Sequence, residues 1–240
     1  MRKFAVATVV LVCCQAICLD AQRSAVPKCA SRLEFAPTVV SNPDSTVTFK
    51  CGRATPMDLI RAVGRQTRIP IGIVLGQHPD ILSRSGRPYD LEKVDARSAL
   101  QMAIRDTGYT LDEESGVMVL IAGDLTARQQ DLLTYPYSDF GPVSNQTMVE
   151  LGAMLTGWML ADVDYANGYV GSILGSTNDE RFSLRPISNA TTEQIANRIV
   201  SLGSKGMWIL KANAFPTRSP SDSVVIEPYQ HYSNLPNIEH

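Results

Sequence analysis

The chain has 240 residues, of which 44% are hydrophobic and 19% are charged, with 22 Lys and Arg against 24 Asp and Glu. This composition excludes a disordered segment, a collagen and a coiled coil, and the length allows one moderate domain or two small ones. A net charge of −2 supplies no basic excess for phosphate binding, so we expect no nucleic-acid partner.

Residues 1–21 have the pattern of a secretory signal peptide. A positively charged start is followed by an apolar run from Phe4 to Leu19, which is short for a membrane span of about 20 apolar residues. Small residues then allow cleavage after Cys18 or Ala21; an uncleaved anchor and a lipoprotein are the alternatives. Since no later segment is long and apolar enough to span a bilayer, we expect a chain that is periplasmic or secreted.

Export determines what the remaining cysteines can do. After residues 1–21 are removed, Cys29 and Cys51 are the cysteines that remain, and an oxidising compartment permits a disulfide between them. The bond would tie the lead-in, residues 22–45, to the first predicted strand. Two free thiols are the alternative, and two cysteines without a His or a second pair do not favour a zinc site.

The first structural unit begins after this proline-containing, extended lead-in. The β-branched run Thr46–Cys51 predicts a strand. Thr55 as N-cap and Pro56 at the first helical position predict the start of a helix. We expect this helix to end near Arg68, and the apolar run Ile69–Leu75 predicts a buried strand after it.

The same unit continues with a second helix and a hairpin. Tyr89–Val94 alternates apolar and polar residues, as a half-exposed strand does, and Asp95 can cap the helix that follows. Gly108 is expected to close that helix, and a hairpin between Tyr109 and Ile121 is expected to turn at Asp112–Ser115. The helix carries an apolar stripe made by Ala96, Ala99, Leu100, Ala103 and Ile104.

A second α/β unit is predicted over residues 134–212. Ser144 can cap a helix, and Gly168–Leu174 reads as a strand. Core packing is expected for the two tryptophans, Trp158 and Trp208, and a binding platform is the alternative. The helix carries one apolar face formed by Met148, Leu151, Leu155, Trp158 and Met159.

The end of this unit repeats the order seen in the first. Arg181–Ile187 alternates as a strand does, Thr191 and Gln194 form a capping-box pattern, and Gly206–Lys211 predicts a final strand. A duplicated βαβ element is one hypothesis, and chance likeness is the alternative. Residues 213–240 read as a flexible tail that adds at most one edge strand at Val224–Ile226.

No catalytic or metal-binding motif is found. The histidines, His78, His231 and His240, form no metal-ligand spacing, and there is no nucleophile elbow or phosphate loop. Asp112–Glu114 offers adjacent carboxylates, but a hairpin tip would keep them solvated, whereas acid–base catalysis needs a buried group. Tyr135–Tyr137 is expected to be a packed turn. We therefore predict no catalytic residue, cofactor or metal.

Residues 46–123 resemble the secretin and TonB N-terminal short domain, the STN domain of bacterial envelope proteins. The matching stretches are Thr55–Thr67, Asp90–Leu100 and Thr107–Leu111. Arg68 departs from the Gly usual in the family. The matches are packing motifs, carried here by Leu59, Val63, Leu91, Val94, Ala99, Leu100 and Gly108.

The predicted elements indicate an α+β fold, made of small βαβ-type units that form two α/β lobes with mixed sheets, and the resemblance makes the N-terminal lobe STN-like. The resemblance implies a role in protein–protein contacts in the bacterial periplasm or cell envelope. The contacts would use an exposed strand edge and a helix face, without covalent chemistry, and the expected partner is another envelope protein. An exported hydrolase with its site in the cleft between the lobes is the alternative.

Overall fold

The structure, a computed structural model, describes residues 46–84, 86–161, 180–212 and 222–229. The predicted signal peptide, the lead-in with Cys29, and the predicted strand Gly168–Leu174 lie outside the described residues. The described helices are α1 (Pro56–Thr67), α2 (Ala96–Ile104), α3 (Ala127–Thr134), α4 (Met148–Ala161) and α5 (Thr192–Val200). None of them has the length and apolar character that crossing a membrane requires.

Two described strands stand between each two successive helices in both halves of the chain. In the first half they are β1 (Thr46–Ala54), β2 (Ile71–Val74), β3 (Arg87–Asp95), β4 (Tyr109–Glu114) and β5 (Val117–Ala122). In the second half they are β6 (Pro136–Phe140), β7 (Val143–Thr147), β8 (Arg181–Leu184), β9 (Ile187–Thr191), β10 (Gly206–Lys211) and β11 (Ser223–Pro228).

A five-stranded mixed sheet lies at the centre, in the order β11-β10-β2-β5-β4. Strands β10, β2 and β5 are parallel, and β11 and β4 pair antiparallel at the two ends. Three antiparallel pairs stand apart from this sheet: β1 with β3, β6 with β9, and β7 with β8. The α+β class predicted from the sequence is confirmed. Strand β10 of the second half pairs directly with β2 of the first, so the halves share one sheet.

Both faces of the central sheet are buried, each against its own core. Successive side chains of a strand point to opposite faces, so one strand contributes to both cores. Ile71 and Ile73 of β2 face a core that contains the buried residues of α1, α2, β1 and β3. Val74, with Trp208 of β10, faces a second core that contains the buried residues of α4, α5 and β6. The helices of each half therefore cover a different face of the shared sheet.

Threonine caps begin four of the five helices. Thr55 and Asp58 form a capping box at α1, and Thr191 and Gln194 form the one predicted at α5. At α4, the hydroxyl of Thr147 accepts from the backbone N–H of Glu150 at 3.2 Å, and the carboxylate of Glu150 accepts from the backbone N–H of Thr147 at 2.7 Å. The prediction that Ser144 caps α4 was wrong, because Ser144 lies in β7. A fourth box, formed by Thr126 and Gln129, starts α3, which the sequence analysis missed.

Three of the strand-to-helix junctions share one backbone feature. Lys93, Asn145 and Asn189 have φ values of 51°, 56° and 52°, and each stands two residues before the N-cap of its helix. Left-handed backbone at these positions bends the strand into the helix, and Asn tolerates it better than most residues. Because the feature occurs in both halves, it supports the duplication hypothesis, which stays a hypothesis.

Glycine and proline positions account for the boundaries that were predicted incorrectly. Helix α2 ends at Ile104, and Gly108, with φ +77°, introduces β4 instead of closing the helix. The hairpin turns at Ser115 and Gly116, both with positive φ, because such a two-residue loop matches the twist of the strands. Pro186 separates β8 from β9, where one strand had been predicted.

The edge strand predicted at Val224–Ile226 is present and is longer than predicted: strand β11 occupies Ser223–Pro228.

The aromatic residues of the second half differ in their burial. The prediction of a packed turn at Tyr135–Tyr137 was wrong, because Pro136 and Tyr137 begin strand β6, in which Tyr137 is buried. Trp208 is fully buried, as predicted. Trp158 keeps 40% of its surface exposed, which corrects the prediction that it is a core residue.

Candidate protein-docking site

Strand β4 forms one end of the central sheet and has β5 as its partner among the described strands. The N–H of Gly123 donates to Gly108 O at 2.9 Å, and the register pairs Tyr109 with Ala122 and Leu111 with Leu120. Hydrogen-bonded and non-bonded pairs alternate in an antiparallel ladder. The backbone N–H and C=O of Tyr109, Leu111 and Glu113 therefore point away from β5.

The opposite end of the sheet, strand β11, is covered by a helix. The Thr156 hydroxyl of α4 accepts from Val224 N at 2.9 Å and lies 3.3 Å from Val224 O. Helix α4 also packs closely at Gly152, where an added Cβ would lie 2.3 Å from Ile226 Cγ1. Covering an edge in this way protects it from pairing with other chains. Of the two described edges, β4 is the accessible one.

A shallow groove runs beside the β4 edge. It has a volume of about 390 Å³ and is formed between the C-terminal end of α2 and β4. A side chain of a strand added to β4 would reach this groove, since alternate side chains of a strand point to one face. The lining residues are Gln101, Ile104, Arg105, Asp106, Gly108, Tyr109, Thr110 and Leu111.

Contacts from both halves of the molecule fix the position of β4. On one face, Arg97 of α2 binds Glu113 at 2.6 Å. On the other face, the side-chain amide of Asn197 in α5 donates to Glu114 at 3.2 Å and accepts from the indole N–H of Trp208 at 2.7 Å. The edge is thus preorganised, which lowers the entropic cost of binding.

Carboxylates gather at the C-terminal end of β4. Glu193 of α5 lies near Glu114 and Asp112, which share one face of β4. Burial, followed by the charge of Glu114 and a hydrogen bond to it, raises the pKa of Glu193 to about 7. Asp112 also accepts from the N–H of Glu113 at 2.7 Å. This acidic end, defined as Asp112, Glu114 and Glu193, places three carboxyl groups beside the edge of β4.

We expect Glu193 to make the stability pH-dependent. Its carboxyl group keeps a proton in the folded state up to about pH 7 and loses it nearer its ordinary pKa when unfolded. Stability therefore falls as the pH rises between those values and stays low above them. Glu193→Gln should raise the free energy of unfolding by about 1–2 kcal/mol at pH 8, after discounting for partial exposure, and should change little at pH 4.5.

Urea unfolding of the wild type and of Glu193→Gln at both pH values checks this expectation. Glu92→Gln, which alters an exposed carboxylate in β3, is the control and should leave the pH dependence unchanged. An equal effect of Glu193→Gln at pH 4.5 and pH 8 would contradict the assignment.

The second half of the chain shows an equivalent edge already occupied. Strand β10 follows α5 as β4 follows α2, and each pairs antiparallel with the next described strand. The other side of β10 binds β2 in parallel, with Met207 opposite Ile71 and Leu210 opposite Val74. The fold therefore accepts a parallel strand at the position that corresponds to the side of β4 where no described strand pairs.

The carboxyl ends of parallel strands are the usual place for ligands in open α/β sheets, but here α3 occupies that position. The buried Gln129 amide donates to Leu75 O at 3.3 Å and to Ala212 O at 3.0 Å, at the ends of β2 and β10. Arg128 forms an ion pair with the fully buried Asp222. These polar groups fasten α3 to the sheet, so we assign them a structural role.

The residues carried over from the STN resemblance lie in the first core. Leu59, Val63, Ala99 and Leu100 have no exposed surface, and Leu91 retains 7%; Val94 packs against the core while partly exposed. Only Gly108 adjoins the docking edge. The six other residues of this set are thus packed in the first core, whereas Gly108 is exposed.

Cys51 is buried in β1. Cys29 lies outside the described residues, so the pairing of these two cysteines stays a prediction.

Two of the acidic groups do not behave as the sequence suggested. Asp112 and Glu114 belong to β4 and not to the hairpin tip, and Glu114 bonds to α5. Sequence reasoning missed Glu193 and Asn197, because nothing local marks a contact between residues so distant in the chain. His78 is exposed, and across the described ranges no three His, Cys, Asp or Glu residues are grouped to hold a metal ion.

No family model matches the chain, and neither a curated protein nor a solved structure matches it.

Proposed function

We propose that this chain is an exported, non-catalytic interaction module of the bacterial cell envelope, which binds an extended segment of another envelope protein along β4. The observation that carries the proposal is the difference between the two ends of the central sheet. At β4, backbone groups of Leu111 and its alternate neighbours face outward, whereas at β11 the Thr156 hydroxyl binds the backbone of Val224.

Sequence features support the same proposal. The N-terminal residues have a signal-peptide pattern, and residues 46–123 resemble the STN domain, whose members make contacts between envelope proteins. Added strands gain affinity from backbone hydrogen bonds and specificity from side-chain pockets, and β4 offers both an open edge and an adjacent groove.

The hydrolase alternative has less support. It requires a cleft between the halves with buried titratable residues that converge there. Where the halves meet, β10 pairs with β2, and apolar side chains such as Ile73, Leu210 and Trp208 fill both sides of the junction.

Site-specific photo-crosslinking tests the docking edge. A photo-reactive residue is placed at Thr110, which is exposed on β4, and envelope extract is added. We expect a crosslinked envelope protein that is lost in Leu111→Pro, since proline removes an outward N–H, and retained in Leu111→Ala. Proline is tolerated on edge strands at such positions.

Circular dichroism shows whether both variants keep the fold. If Leu111→Pro folds and still yields the same crosslinked product as Leu111→Ala, the β4 edge does not bind the partner and the proposal fails.

A further inference from the structure

We propose that the segment bound by β4 runs parallel to β4, has an apolar first part and carries lysine or arginine at its C-terminal end. This inference rests on the proposed function and specifies the chemistry of the partner. The proposed partner is a strand of another protein with a stated direction and charge. Binding of a second copy of this chain instead is a result that the test can detect.

The direction follows from the pairing of β10 with β2. In each half, a helix leads into a strand whose first neighbour is antiparallel: β5 for β4, and β11 for β10. On its other side β10 binds β2 in parallel. A partner that pairs with β4 as β2 pairs with β10 begins beside Tyr109 and ends beside Glu114.

The apolar part of the partner follows from the surface at the start of β4. Tyr109 and Leu111 line the groove together with Ile104 of α2. In β2, the residues that face the first core are Ile71 and Ile73. A partner side chain of this kind, pointing to the same face, would cover the groove and remove its apolar lining from water.

The basic end of the partner follows from the acidic end of β4. Asp112, Glu114 and Glu193 lie together there, while the cation of Arg97 on the opposite face is already bound to Glu113. Carboxylates that crowd one another favour the approach of a cation, and opposite charges set the direction and register of a paired strand. A parallel partner brings its C-terminal residues to this end.

Peptide binding tests the inference. The probes are two fluorescein-labelled peptides of eight residues, one with alternating Thr and Val followed by three lysines, and one with the reversed sequence, so that composition is matched. Fluorescence anisotropy is measured with the wild type, with Leu111→Pro, and with the double variant Asp112→Asn and Glu114→Gln. Leu111→Ala is the control for lost packing, and size-exclusion chromatography records the oligomeric state.

We expect the peptide with C-terminal lysines to bind at least about tenfold more tightly than the reversed peptide. The double variant should reduce that preference to about twofold or less, and Leu111→Pro should abolish binding of both peptides. Leu111→Ala should retain the preference.

Each of the other possible results refutes a specific part of the inference. Equal binding of both peptides that Leu111→Pro abolishes would refute the stated direction and charge, while β4 would still be the docking edge. Binding that Leu111→Pro leaves intact, or no binding of either peptide, would refute the inference, and crosslinking at β4 would then decide the proposed function separately. A dimer that Leu111→Pro dissociates would assign the edge to a second copy and refute the inference.

Discussion

Replacing Asp222 by alanine is expected to lower the free energy of unfolding by about 3–5 kcal/mol, the usual cost of removing one partner of a buried ion pair. Asp222 has no exposed side-chain surface, and its partner Arg128 retains 12%. The substitution takes an ion-pair partner from the largely buried guanidinium of Arg128, which lies in the first turn of α3. Asp222 immediately precedes β11, so the substitution also removes an ion pair that joins the start of this strand to α3. Urea unfolding at pH 7 measures the loss.

An exposed ion pair provides the comparison. Lys50 and Asp90 lie 3.3 Å apart on the paired strands β1 and β3, with 79% and 73% of their side chains exposed. Asp90→Ala should change the free energy of unfolding by no more than about 1 kcal/mol, because solvent screens such pairs. Similar losses in both variants would mean that burial of the Arg128–Asp222 pair has no energetic consequence.

Trp208→Ala is expected to cost about 3–5 kcal/mol, as the removal of a fully buried aromatic side chain does. The indole ring lies against Gly72 of β2, where an added Cβ would come within 2.5 Å of it. Its N–H donates to Asn197 Oδ1 at 2.7 Å. The substitution therefore opens a cavity at the junction of the two halves and removes a hydrogen bond. Thermal and urea unfolding both measure the effect.

The other tryptophan is the matched control. Trp158 lies 5.6 Å from Phe140 and 6.4 Å from Tyr137, between ring centroids, and 40% of its surface is exposed. Since less surface is buried, we expect Trp158→Ala to cost about 1–2 kcal/mol. If the two variants were equally destabilised, the contact between Trp208 and Gly72 would not contribute as described.

Local features of the fold were predictable from the sequence. The cap residues Thr55 and Thr191 satisfy backbone groups within three residues, so their patterns identify the starts of α1 and α5. The apolar stripe of α2 and the alternation in β3 likewise reflect periodicities of a single element. These features fixed most of the first half and the end of the second.

The candidate site depends on contacts that no local pattern reveals. Pairing of Met207 with Ile71, and of Asn197 with Glu114, joins residues from different halves. Helix α3 was missed because its sequence is largely polar, and Gln129 is buried only because Leu75 O and Ala212 O accept its amide protons. The docking edge could be identified only once the order of strands was known.

Strand β2 lies between β10 and β5 in the central sheet, so it can be fully paired only after β10 has been synthesised. Synthesis produces β2 before β10, which forms its second hydrogen-bonded edge and follows only after the intervening helices and strands. During that interval Gly72 and Val74 lack the cover that Trp208 and Leu210 later supply. A polypeptide that stops before Gly206 presents an open apolar strand, which is a site for aggregation. The residues that protect the first half from self-association are therefore made after it.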